Sequence, residues 1–148
     1  MEITIDFATV RRIASQEYRQ ARSEIAALGP AEAYSRSQLR HDERLAAAPD
    51  ASSLACQAGC SWCCYFSVDV RPAEVFHILD FIERHWTPQA RERLHAEIQT
   101  NSAILQPLDE IERMQQNIKC PFLTEGRCGI YAARPQTCRN YHATDAAV

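Results

Sequence analysis

Cys56, Cys60, Cys63 and Cys64 fall within nine residues in the spacing C-x3-C-x2-C-C, and Cys120, Cys128 and Cys138 follow near the C-terminus. Thiolate is the softest ligand a protein carries, and it suits zinc, iron–sulfur clusters and copper(I). Four sulfurs early and three late read as a metal site that ties two parts of the chain together. Three late thiols cannot close a four-ligand site alone, so the two groups are expected to meet in space. A closed structural zinc site takes four ligands, and a thiolate cubane also takes four. Seven sulfurs then serve one four-ligand centre with spares, or two metals with a shared or missing ligand.

On an α-helix the first four cysteines would span an arc of about 100°. Gly59 is a poor mid-helix residue, so a turn leading into a helix would cluster them equally well. Cys63 and Cys64 are expected to point apart and to share one tetrahedral ion poorly. Each centre should therefore draw ligands from both groups. Disulfides are the rival reading for an exported chain, and an odd cysteine count fits them poorly. Arg134 and Arg139 flank Cys138 and suit the negative charge of a polythiolate centre, or a structural ion pair. Tyr131, Tyr141 and Trp62 are expected to pack over the site and exclude water. His77, His85 and His95 show no metal-ligand spacing. Glu74, at a helix start, reads as a dipole partner, and Asp109, Glu110 and Glu112 as a solvated face. No catalytic residue stands out.

Helices must hold these segments. Phe7, Val10, Ala14, Tyr18, Ala21, Ile25 and Leu28 recur in steps of three and four, which predicts an amphipathic helix over residues 6–28 that Gly29-Pro30 ends. A second helix is expected from Ala31 to about Ala48. Phe66 to Val70 alternates like a short strand. Arg71-Pro72 and Thr87-Pro88 open two more helices. The first of these should bury Val75, Ile78, Leu79 and Ile82. Leu94, Ile98, Leu105, Leu108, Ile111 and Ile118 should bury the second, which Pro107 kinks or divides. Thr124-Glu125-Gly126-Arg127 reads as the turn of a hairpin or knuckle between Cys120 and Tyr131, with a helical turn carrying Cys138.

The expected fold is mostly α: a small helical domain with a short strand or hairpin, its C-terminal cysteine knuckle joined to the four-cysteine segment through metal. Residues 1–50 form an N-terminal helical region packed on the core, and residues 51–148 the cysteine-cluster domain. A chain of 148 residues with 46% hydrophobic and 24% charged residues can bury a core. Four glycines without a phosphate-loop pattern exclude the common nucleotide folds. A net charge of −3, with Lys119 as the one lysine, argues against nucleic acid. No run approaches the ~18 apolar residues of a membrane helix. The N-terminus lacks the basic and apolar regions of a secretory leader, so a cytoplasmic chain with reduced thiols is expected. Its oligomeric state is open.

The spacing Cys56-x3-Cys60-x2-Cys63-Cys64 resembles the CxxCxxCC family, also called the YkgJ family. So do Cys120-Pro121-Phe122-Leu123, Gly126-Arg127-Cys128-Gly129-Ile130-Tyr131, Arg134-Pro135 and Cys138-Arg139-Asn140-Tyr141. The resemblance covers residues 56–142 and implies a zinc- or iron-chelating domain, with an iron–sulfur cluster as one form. Similar clusters in flagellin lysine methylases imply an alternative: a metal- or iron–sulfur-dependent enzyme that modifies a protein substrate. Whether the chain is an enzyme is open. The family pattern has eight cysteines and this chain seven. His142, one helical turn after Cys138, is the candidate eighth ligand; a vacancy there would leave an open coordination position.

Overall fold

A computed structural model describes residues 6–56 and 59–142. The chain is mostly helical and divides into two compact units, Met1–Ala48 and Pro49–Val148. No described helix is long and apolar enough to cross a membrane.

The first unit is a helical hairpin of α1 (Phe7–Leu28) and α2 (Pro30–Ala46). Asp6 caps α1 by accepting from the Ala8 and Thr9 N–H groups at 3.0 and 3.1 Å. Gly29 alone makes the corner. Its φ of 84° lies in the region open to glycine, its N–H donates to Ile25, and its carbonyl accepts from Ala33. Pro30 then fixes the first turn of α2.

The apolar stripe of α1 does not face α2. Phe7, Val10, Tyr18, Ile25 and Leu28 are exposed, and the buried residue of the helix is Glu24. The reason is a charge network. Arg40 donates to Glu17 at 2.7 and 3.1 Å and to Glu24 at 2.8 and 2.9 Å, while Ser37 adds a bond to Glu17 at 2.7 Å. The Arg40 guanidinium holds Glu17 well below the carboxylate range, at about 2, against the opposing effect of burial. A guanidinium fork shared by two carboxylates fixes the hairpin register more specifically than a band of aliphatic contacts would.

In the second unit, α3 (Pro72–His85) and α4 (Pro88–Leu105) start at the expected prolines, with Thr87 capping α4 through Ala90 N–H at 3.2 Å. Pro107 divides the following stretch, so that α4 ends at Leu105 and α5 runs Glu110–Gln115. A hairpin of β1 (Leu123–Thr124) and β2 (Arg127–Cys128) and the short α6 (Gln136–Asn140) complete the unit. Glu125 and Gly126, at φ of 51° and 74°, form the two-residue turn whose twist suits a hairpin.

The core is small: Ile78, Ile82, Leu94 and Ile130, flanked by Phe81, Trp86, Phe122 and Cys128. Here the expected stripes are only half right. Val75 and Leu79 of α3, Ile98 of α4 and Ile111 of α5 are exposed. Phe66–Val70 belongs to no sheet, since the described sheet consists of β1 and β2 alone.

Gly129 is where this core is tightest. A Cβ there would sit 2.8 Å from the Trp86 ring and 3.2 Å from the Phe122 carbonyl oxygen, which accepts the Gly129 N–H at 2.8 Å. Gly129→Ala should therefore overpack the site and cost about 1–3 kcal/mol. Thermal melts should show a clear drop, and an unchanged midpoint would mean that Trp86 moves aside freely.

Candidate metal centre

The first cysteine segment is not an α-helix. Gly59 turns the chain at φ 102°, and a 3-10 turn at Trp62–Tyr65 carries Cys63 and Cys64. Trp62, on that turn, is exposed and is not among the residues that line the cavity with the thiols. The Cys64 carbonyl accepts the Cys120 N–H at 2.7 Å and so fastens the first segment to the second. Strand β2 then presents Cys128, and α6 presents Cys138.

The outcome is one cavity of about 240 Å3 lined by all seven cysteines. Its other walls are mainly apolar, with Phe66, Val68, Phe122 and Ile130 among them, and Tyr131 and Tyr141 lie at the same chamber as the sequence suggested. Arg134 is the charged residue on the lining and stacks over Tyr131 at 4.1 Å from the ring centre. All seven cysteines are free thiols and half-buried.

Electrostatics there favour the protonated thiol until a cation arrives. Burial, followed by the neighbouring Cys63, pushes Cys64 up to about 12. Burial likewise pushes Cys138 up to about 11 and raises Cys63, Cys120 and Cys128. Backbone groups work the other way at Cys63, Cys120 and Cys128. The N–H of Phe122 is directed at the Cys120 sulfur and that of Ile130 at the Cys128 sulfur, each favouring thiolate. Among the described residues, no three of His, Cys, Asp or Glu converge closely enough to hold an ion. The sulfurs surround a space rather than a point. As a donor set they suit a soft or borderline cation, and amide N–H groups aimed at two of them would offset the charge of a polythiolate centre.

His142 is half-buried and is not among the lining residues. Arg139 is buried at 4% exposure and donates to the Arg134 and Ala132 carbonyls, which makes it a brace for the loop before Cys138. His85 stacks on Phe81 at 4.6 Å and His77 is half-buried on α3, while neither they nor His95 line the cavity.

Glu74 has a larger part than a helix-start acid suggests. It is 3% exposed; one carboxylate oxygen accepts the Arg71 N–H at 2.7 Å and the other the Gln136 N–H at 2.7 Å. It thus clamps the start of α6, and with it Cys138, to the start of α3. The helix-start signal at Arg71-Pro72 marked Glu74, but nothing local marked its partner on α6. Glu74→Ala should leave two backbone donors unpaired at about 1–3 kcal/mol each and make Cys138 more reactive to a thiol reagent. Melting and reactivity both equal to the parent would show that Glu74 does not hold α6.

A model of the CxxCxxCC family, described as "Putative zinc- or iron-chelating domain", matches residues 55–147. Neither a curated protein nor a solved structure matches the chain.

Proposed function

The chain belongs to the CxxCxxCC family, and we propose that it chelates zinc or iron through its clustered thiolates, the metal holding the cysteine segments of the second unit together. The observation that carries this reading is that seven thiols, 56 residues apart at their nearest across the two groups, line one cavity. Ordinary buried cysteines behave as small hydrophobes and have no reason to gather. Metal ligands do, and a soft cation is what offsets several thiolates in an apolar chamber. Such a set stays reduced in the cytosol, where this reading places the protein.

Anaerobic purification followed by elemental analysis and visible absorbance tests the reading. Stoichiometric zinc in a colourless protein supports a zinc centre. Visible absorbance with acid-labile sulfide supports an iron–sulfur cluster. A protein that emerges metal-free and takes up neither added Zn(II) nor Fe(II) is not a chelator.

A further inference from the structure

We propose that the exposed apolar row of α1 is a dimer contact, on which a second copy of this chain lays its own α1 antiparallel. The proposal goes beyond the chelating reading and does not depend on it. Phe7, Val10, Tyr18, Ile25 and Leu28 are exposed, with Ala14 and Ala21 set between them. Steps of three and four put them all on one face, in a row about 30 Å long. The hairpin cannot take this row inward. Arg40 holds Glu17 and Glu24 on the neighbouring flank, and turning α1 would break both pairs. An apolar row of that length left at the surface marks a contact face.

The spacing selects the occupant, because the row reads alike from either end. In an antiparallel pair whose two-fold axis passes between positions 17 and 18, Phe7 meets the partner's Leu28, Val10 the partner's Ile25 and Ala14 the partner's Ala21. Bulky side chains close the two ends, and the alanines let the backbones come near between them. Such self-complementarity is what a two-fold contact between identical surfaces requires. Neither a lipid surface nor an unrelated helix calls for it. The area suffices as well. Exposure of the five large residues runs from 45% at Leu28 to 72% at Phe7. At roughly 100 Å2 from each of them, the pair would cover about 1,000 Å2, the lower bound of a specific interface. Arg11 and Arg22 stand on the rim of the row away from Glu17 and Glu24, Arg22 with Cζ 5.8 Å from the Tyr18 ring centre. Antiparallel packing sets the two arginine rims side by side, so salt should tighten the dimer rather than loosen it.

Sedimentation equilibrium of the reduced full chain across micromolar concentrations tests the proposal. Twice the chain mass is expected. Val10→Glu and Ile25→Lys should each weaken the dimer by about a hundredfold, because the two-fold axis buries the new charge twice. Both side chains are about half exposed, so neither change disturbs the hairpin itself. An equimolar mixture of the two variants should dimerise again. Antiparallel pairing sets the introduced acid against the introduced base and leaves Ile25 against Val10 at the other end. A parent chain that stays monomeric throughout overturns the proposal and leaves the row to another partner. So does a dimer that both variants retain, or a mixture that stays monomeric, which is what parallel packing would give. A dimer that added salt loosens overturns it too. Metal content enters none of these outcomes, so failure here leaves the chelating reading standing.

Discussion

Chelating the metal should cost the second unit most of its stability. Its buried hydrophobic residues, among those described, are Ile78, Ile82, Leu94, Leu123, Ile130 and Ala133, while Val75, Phe76, Leu79, Ile98 and Ile111 stay exposed. A core of that size supplies little surplus over chain entropy, and small cores of this kind depend on a staple. The candidate staple joins the 3-10 turn at Trp62–Tyr65, strand β2 and α6 around one cavity. Apparent binding energies of structural zinc run to roughly 10 kcal/mol or more, comparable with the whole stability of an ordinary domain. Melts of the reduced protein with and without a strong chelator, metal loss being verified, should show a fall of tens of degrees or loss of the cooperative transition. Trypsin should then cut faster at Lys119, which precedes the hairpin, and at Arg127, in its second strand. Cys60→Ser and Cys63→Ser should move the melt the same way. A metal-free protein that melts like the loaded one would assign the stability to side-chain packing alone.

Local chemistry was the legible part of this chain. Gly29-Pro30, Arg71-Pro72, Thr87-Pro88 and Pro107 each set a helix boundary because proline and glycine act on their own residue's backbone. The turn at Glu125-Gly126 was legible for the same reason. Helix facing was not. The α1 stripe looked like a buried surface, yet Arg40, from the neighbouring helix, pairs with Glu17 and Glu24 and turns that stripe outward. No periodicity encodes a two-carboxylate fork on another helix. Phe66–Val70 alternates like a strand but finds no neighbour to pair with among the described strands, and pairing is not a property of one segment.

The site divides in the same way. Cysteine spacing announced that the two groups belong together, because so many thiols in so short a chain have little other use. Their arrangement around a chamber was not announced, since it depends on the Cys64–Cys120 backbone bond and on Glu74. That carboxylate reaches Gln136, 62 residues away, and only the fold reveals it. Trp62, next to Cys63, looked like a shield; the sharp 3-10 turn that brings the thiols to the cavity leaves the indole in solvent.

Metal affinity should climb steeply with pH. Burial, assisted by neighbouring sulfurs, raises Cys63, Cys64, Cys120 and Cys138 above the ordinary thiol value of 9.0, and burial raises Cys128 too, with Cys64 reaching about 12. Near neutrality these groups carry protons, while the ligand form is the thiolate, so each of these thiols recruited by a cation releases a proton. For a centre that displaces four protons, the apparent affinity should rise by about four powers of ten per pH unit, a factor of ten for each proton. The metal-free fold should show the opposite trend on the alkaline side. An acid whose pKa is higher folded than unfolded binds more protons in the native state, so stability is held below the unfolded value near 9.0 and declines as pH rises towards the folded value of about 12 for Cys64. With metal bound, the thiols have already given up their protons and that decline should vanish. Zn(II) competition against a chromophoric chelator between about pH 6 and 8, with proton release followed by an indicator dye, measures the first effect. Alkaline melts of the metal-free and loaded forms measure the second. An affinity flat across that range would mean that these thiols are not the ligands, whatever else the cavity holds.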